Sequence, residues 1–118
     1  MRLAVSAQGE GLDSSVDQRF GRAPWFVIVD TNGGAGEAIR NEQNLEAAQG
    51  AGIQAAQTIA NRNVDAVVTG HCGPKAFRIL TAAGVGVYLG AQGSVSNAVE
   101  QFRKRQLTKA EQADVEGH

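Results

Sequence analysis

The sequence is poor in the residues that most often announce a function. It holds one cysteine, Cys72, among 118 residues. That excludes an internal disulfide framework and any zinc site built on two cysteines. Aromatic residues make up only 5%, whereas glycine occurs 15 times, so the core must be assembled from Ala, Val, Ile and Leu with backbones packed closely together. Neither sign of charge is in excess: eleven basic and twelve acidic side chains give a net charge of −1. A nucleic-acid binder driven by overall charge is thereby excluded, though a local basic pocket is not. No apolar run approaches the ~20 residues a membrane helix needs, and Arg2-Leu3-Ala4-Val5-Ser6 reads as a strand rather than a signal peptide. These absences predict a cytoplasmic protein without a membrane partner.

Catalytic motifs are missing as well. There is no P-loop and no Gly-x-Ser-x-Gly elbow. Gly50-Ala51-Gly52-Ile53-Gln54-Ala55 matches a dinucleotide fingerprint by letter, but polar residues 42–49 precede it where the fingerprint needs an apolar strand. Asp13, Asp17, Asp30 and Asp65 lack the paired spacing of a hydrolase, and turn, cap or surface duty is expected of them.

What is present reads as one α/β domain. The 42% of hydrophobic residues suffice for a single core, and the length for a single domain. Leu3-Ala4-Val5 is the first strand, followed by an unpatterned loop from residue 7 to about 24. Trp25-Phe26-Val27-Ile28-Val29 is a strand buried on both faces. Thr31-Asn32-Gly33-Gly34 signals a hairpin turn, and the polar return over residues 37–41 predicts an edge strand. Residues 50–62 form a helix with Ile53, Ala56 and Ala60 on one stripe. Asp65-Ala66-Val67-Val68-Thr69 and Val85-Gly86-Val87-Tyr88-Leu89 are strands. Between them runs a helix over residues 74–83, with Pro74 at its first position and Gly84 as its stop. Ser94 caps a last helix carrying Val95, Ala98, Val99 and Phe102 at i, i+3, i+4 and i+7. The expected architecture is a mixed five-stranded sheet with one antiparallel hairpin and helices on both faces. It occupies residues 1–107, with a flexible polar tail over 108–118.

In such sheets ligands bind beyond the carboxyl ends of the parallel strands. Three segments leave those ends: residues 6–20, Gly70-His71-Cys72-Gly73-Pro74-Lys75 and Gly90-Ala91-Gln92-Gly93-Ser94. Two run straight into helix starts, where unpaired N–H groups and the helix dipole favour an anion. Arg19, Arg22 and Lys75 add positive charge nearby, and glycines let a ligand approach the backbone. The candidate binding residues are Arg19, Arg22, Gly70, His71, Cys72, Gly73, Lys75, Gly93 and Ser94. Cys72 and His71 are the candidate metal donors, since thiolate and imidazole are soft-to-borderline ligands. Each has a plainer alternative: a buried thiol, a histidine bonded to a carbonyl, arginines paired with Asp13 or Asp17, glycines serving tight turns.

Five pieces of sequence taken in order carry a family resemblance. They are Val16-Asp17-Gln18-Arg19-Phe20-Gly21-Arg22-Ala23-Pro24, Gly50-Ala51-Gly52-Ile53-Gln54-Ala55-Ala56-Gln57, Val64-Asp65-Ala66-Val67-Val68-Thr69-Gly70, Gly73-Pro74-Lys75-Ala76-Phe77 and Ala83-Gly84-Val85-Gly86-Val87-Tyr88. Over residues 1 to about 107 the chain resembles the dinitrogenase iron–molybdenum cofactor biosynthesis family. The resemblance implies a ribonuclease H-like fold and non-catalytic binding or carriage of a metal–sulfur cluster or its precursor. A molybdenum–copper sulfide or another molybdenum- or iron-containing sulfur cluster, held without covalent attachment, is the implied cofactor, and cluster donor or acceptor proteins the implied partners. The first strand lacks the central aspartate that nuclease chemistry on this fold would need.

Two function classes follow. In one, backbone amides and cations hold a self-contained polyanionic cluster, since one cysteine cannot anchor a four-cysteine iron–sulfur centre. In the other, the same loops serve a regulatory module for a phosphate-bearing small molecule such as a nucleotide.

Overall fold

A computed structural model describes residues 1–33, 36–41 and 51–111. The chain runs β1 (Arg2–Ala7), a single 3-10 turn (Phe20–Arg22), β2 (Trp25–Asp30), β3 (Glu37–Arg40), α1 (Ala51–Ala60), β4 (Ala66–Val68), α2 (Pro74–Ala82), β5 (Gly86–Leu89), α3 (Val95–Arg103) and β6 (Thr108–Lys109). The sheet order is β3-β2-β1-β4-β5-β6. β1, β4 and β5 are mutually parallel, while β2 is antiparallel to both β1 and β3.

The sheet therefore has six strands rather than the five expected. The sixth pairs antiparallel with β5, Tyr88 opposite Lys109 and Leu89 opposite Thr108. Both of its residues are exposed and polar, so nothing in their local pattern distinguishes them from a tail. Their strand geometry comes from the free edge of β5. Residues 112–118, which complete the stretch expected to be a flexible tail, lie outside the described residues.

Alternation along the strands divides the core into two layers. Ala4, Phe26, Ile28, Val67 and Val87 face the layer that holds Ala55, Ala56 and Ile59 of α1 and Ala76 and Leu80 of α2. Leu3, Val5, Val27, Val29, Ala66 and Val68 face the layer covered by Val95, Ala98 and Val99 of α3. Buried on both faces, β1 and β2 read as continuous apolar runs for that reason. α1 is turned from its expected stripe: Ala55, Ala56 and Ile59 are fully buried, whereas Ile53 and Ala60 are only partly so. An alanine-rich helix offers apolar residues on several faces, and close packing against α2 selects among them.

The helix ends follow local chemistry. After α2, Gly84 takes φ +79°, its N–H bonds Thr81 O at 3.0 Å and Val85 N–H bonds Leu80 O at 2.9 Å. This is the paired closure glycine permits. At the β2–β3 turn, Asn32 N–H donates to Asp30 Oδ1 at 2.9 Å and holds that carboxyl below the usual range, with the N-terminal amine adding to the effect. Gly34 of the expected turn lies outside the described residues. Among the described residues, no helix is long and apolar enough to cross a membrane.

Candidate functional site

The carboxyl ends of β1 and β4 are joined by two fully buried hydroxyls. Ser6 Oγ donates to Asp17 O at 2.7 Å and lies 2.7 Å from Thr69 Oγ1. Ser6 has one hydroxyl proton, so the Thr69 hydroxyl is the donor in the second bond. Asp17 N–H returns to Ser6 O at 2.9 Å, and Asp17 Oδ1 accepts the Arg19 N–H at 2.9 Å. Asp17 thus shapes a turn, and its carboxylate serves the Arg19 backbone.

From that anchor the first loop lies against the second. His71 N–H donates to Gln18 O at 2.7 Å and Phe20 N–H to His71 O at 3.1 Å, which pairs Arg19 with His71 in a parallel bridge. A Cβ on Gly70 would fall 2.7 Å from Gln18 O and 2.9 Å from Gln18 Cα, so the approach admits only glycine. Gln18 Nε2 also donates to Ala91 O at 2.9 Å, while Ala91 N–H bonds Thr69 O at 3.1 Å. The three loops converge as expected, and Gln18 is the residue that touches both others. Its role is invisible in sequence, since a lone glutamine in a polar loop carries no signal.

The two helix starts that face these loops differ. At α3, Ser94 Oγ accepts the Asn97 N–H at 3.1 Å and Asn97 Oδ1 accepts the Ser94 N–H at 3.0 Å, a reciprocal capping box. Val95 N–H donates to Ser14 O at 2.9 Å and Ser96 N–H to Leu12 O at 2.8 Å. Every first-turn donor of α3 is therefore engaged within the chain. At α2, Gly73 is the N-cap with no side-chain hydrogen bond, and Pro74 has no N–H to offer. Among the described residues, nothing accepts from the Lys75 and Ala76 amides.

The expected site residues divide accordingly. Arg19, His71 and Lys75 are exposed along the first and second loops, and Arg22 is exposed at the end of the 3-10 turn. The ion pairs between described residues are Met1–Asp30 and Arg103–Glu100, so Arg19 and Lys75 are not neutralised by a described carboxylate. Gly70 and Gly73 are buried beneath them. Cys72 is 1% exposed, packed in the same core layer as Phe20 and Ala76, with its Sγ 3.7 Å from Gly73 O. Gly93 and Ser94 belong to the other junction: Gly93, at φ +84°, accepts the Val16 N–H through its carbonyl at 2.8 Å, and Ser94 is taken up by capping. Among the described residues, no three His, Cys, Asp or Glu side chains gather closely enough to hold a metal ion. Asp30 and Asp65 also serve backbone donors, Asp65 Oδ2 accepting the Arg2 N–H at 2.8 Å.

A mixed sheet of this order, with loops from β1 and β4 laid together beside exposed cations and a helix start whose first amides have no described acceptor, defines a small single-sheet α/β protein with its candidate site at the carboxyl ends of the parallel strands. The chain belongs to the dinitrogenase iron–molybdenum cofactor family, whose model matches residues 1–105. It is similar to the apo form of the orange protein from Desulfovibrio gigas, with 42% identity, a TM-score of 0.91 and coverage of 97% of this chain and 96% of that one. A Thermotoga protein of the DUF35 family, provisionally described as a NifB protein, shares 30% identity at a TM-score of 0.75 over 92% of this chain and 91% of its own. An uncharacterised protein of Methanocaldococcus jannaschii is 29% identical over 104 residues, 84% of this chain and 86% of that protein.

Proposed function

We propose that this protein binds and carries an anionic, molybdenum-containing metal–sulfur cluster or its precursor, without covalent attachment and without catalysing a reaction on it. Membership of the cofactor family and the likeness to the orange protein support cluster carriage. A molybdenum–copper sulfide is the specific cargo proposed, on the strength of the same resemblance. The observation that carries the reading is the α2 start. The first-turn amides of Lys75 and Ala76 have no acceptor among the described residues, His71 stands in the same loop, and Arg19 is bridged to it from the first loop. Sulfide-bridged clusters are polyanions, and amides, guanidinium and ammonium groups can hold one through hydrogen bonds and charge. In this reading Arg19, Arg22, His71 and Lys75 supply charge and donors, while Gly70 and Gly73 supply close approach of the backbone. Cys72 fills the core beneath them. The strand order β3-β2-β1-β4-β5 with β2 antiparallel supports a ribonuclease H-like assignment of the fold.

The test is reconstitution. The apo protein is incubated anaerobically with tetrathiomolybdate and copper(I), desalted, and analysed for molybdenum, copper and iron. The expected result is retained molybdenum with a visible absorption band and a change in the fluorescence of the single tryptophan, Trp25, whose strand begins opposite the end of β1. Protein that emerges without molybdenum, or that retains a nucleotide in preference, would overturn the reading.

A further inference from the structure

Directly after the edge strand β3 stands Asn41, a polar residue only 5% exposed. Its Nδ2 donates to Ala23 O at 2.7 Å and, more weakly, to Gly21 O at 3.4 Å. Its own N–H donates to Pro24 O at 2.9 Å. Three carbonyls within four consecutive residues are thus held by one side chain and its backbone. Those residues include the end of the 3-10 turn and flank Arg22 on both sides. The start of the same turn is fixed from the opposite direction, by Phe20 N–H on His71 O and by the Phe20 ring, 1% exposed, against Phe26 at a centroid distance of 5.1 Å. α1 packs against the same turn, and Asn41 ties the turn's far end to the end of β3.

We infer that Asn41 is a positioning residue for the cluster site: it locks the Gly21–Pro24 backbone so that Arg22 is presented on the same side as Arg19 and His71. This rests on the carrier reading above. The chemistry specifies an amide. Two carbonyl oxygens must be met by donors, and the NH2 group of asparagine carries two. A carboxylate at the same place would set lone pairs against lone pairs, and a buried carbonyl left without its donor is itself unfavourable. Asn41 is set apart in sequence from the binding loops, and β3 delivers it there through the β2–β3 register that pairs Trp25 with Arg40.

The experiment is a double-mutant cycle between Asn41→Ala and Arg22→Ala, read by the affinity for tetrathiomolybdate and by backbone amide NMR of the free proteins. Each single variant is expected to bind about tenfold more weakly than the parent. The double variant is expected to bind no more weakly than Arg22→Ala alone, because Asn41 acts through the segment bearing that arginine. In free Asn41→Ala, amide shifts should change over residues 20–24 and stay fixed along β4 and α3. Should Asn41→Ala fail to fold, Asn41→Ser replaces it in the cycle: it keeps a small polar side chain too short to meet both carbonyls. Parental affinity in a folded Asn41 variant would overturn the inference, as would losses that simply add in the double variant, the signature of general destabilisation. If the parent itself does not bind tetrathiomolybdate, the carrier reading fails and takes this inference with it, a result distinct from binding by the parent that is indifferent to Asn41.

Discussion

The starts of α2 and α3 are alike in sequence and opposite in structure. Each follows a glycine, each leaves a parallel strand through a short loop, and each carries the partial positive charge of a helix N-terminus. At α3 that potential is met internally: Ser94 and Asn97 cap each other, and the carbonyls of Leu12 and Ser14 take the Val95 and Ser96 amides. At α2 a glycine cap and a proline at the first position leave the Lys75 and Ala76 amides without a described acceptor. The lesson is that a glycine loop entering a helix defines a possible anion site, and tertiary neighbours decide whether its amides are taken up, as the described residues do at α3. Here the first loop reaches across to close α3 and, a few residues later, lies beside α2 without covering it.

The comparison breaks most severely at Gly70, where the α2 junction depends on main chains meeting closely. Gly70→Ala places a Cβ 2.7 Å from Gln18 O, and because the obstacle is backbone the two loops must separate. Overpacking of this kind costs about 1–3 kcal/mol, a fall in Tm of roughly 4–8 °C per kcal/mol for a domain near this size. Thermal melting measures that loss. Tetrathiomolybdate binding should disappear with the Arg19–His71 bridge. Gly93→Ala, strained at φ +84°, should destabilise too, yet leave the α2 junction able to bind.

Charge at the α2 start has the next largest effect. Arg19→Ala and Lys75→Ala should each weaken tetrathiomolybdate binding by about one to two decades, the worth of a charge-assisted hydrogen bond of roughly 1.5–3 kcal/mol. Isothermal titration checks it, with melting curves expected to stay near those of the parent because both side chains are exposed. Ser94→Ala should do the reverse. Loss of the α3 cap costs about 1 kcal/mol of stability, while affinity for the anion stays as it was. An equal loss of affinity in Ser94→Ala and Lys75→Ala would erase the distinction between the two starts.

Local signals made most of this fold legible. Pro74, Gly84 and Ser94 mark helix ends through their own backbone and side-chain chemistry, and the apolar runs of β1, β2 and β4 mark strands buried on both faces. The sixth strand, Thr108–Lys109, has no such signal, since the free edge of β5 creates it. The closure of α3 was equally hidden, because the groups that close it are main-chain carbonyls of Leu12 and Ser14, which any residue could supply. Within the candidate site, charge and position mark Arg19 and Lys75 in the sequence, and donor type marks His71. Gln18 and Asn41 carry no such mark, for each acts through bonds to carbonyls that only the folded chain brings near.

The smallest expected effect falls on the residue that sequence marks most clearly, the single cysteine. Cys72 sits one residue before the α2 cap, where a thiolate could compete with charge as the grip on a cluster. Its side chain is buried, with Gly73 O as an acceptor near the sulfur. A serine there is slightly smaller and more polar, and it can direct its hydroxyl to that acceptor, so a stability cost of about 1 kcal/mol is expected from burying the oxygen. If amides and cations hold the anion, Cys72→Ser should keep tetrathiomolybdate affinity within about threefold. The complex should also loosen as salt rises from about 0.1 M to about 1 M, where the Debye length shrinks from roughly 10 Å to roughly 3 Å. If instead the sulfur bonds a metal, the same variant should abolish binding, and salt should change little in the parent. Titrating the parent, Cys72→Ser and Lys75→Ala at both salt concentrations separates the cases. Charge-held binding requires Lys75→Ala to be the weaker binder of the two variants at low salt and requires the gap between them to narrow at high salt. A cysteine-held cluster would reverse their order at either concentration.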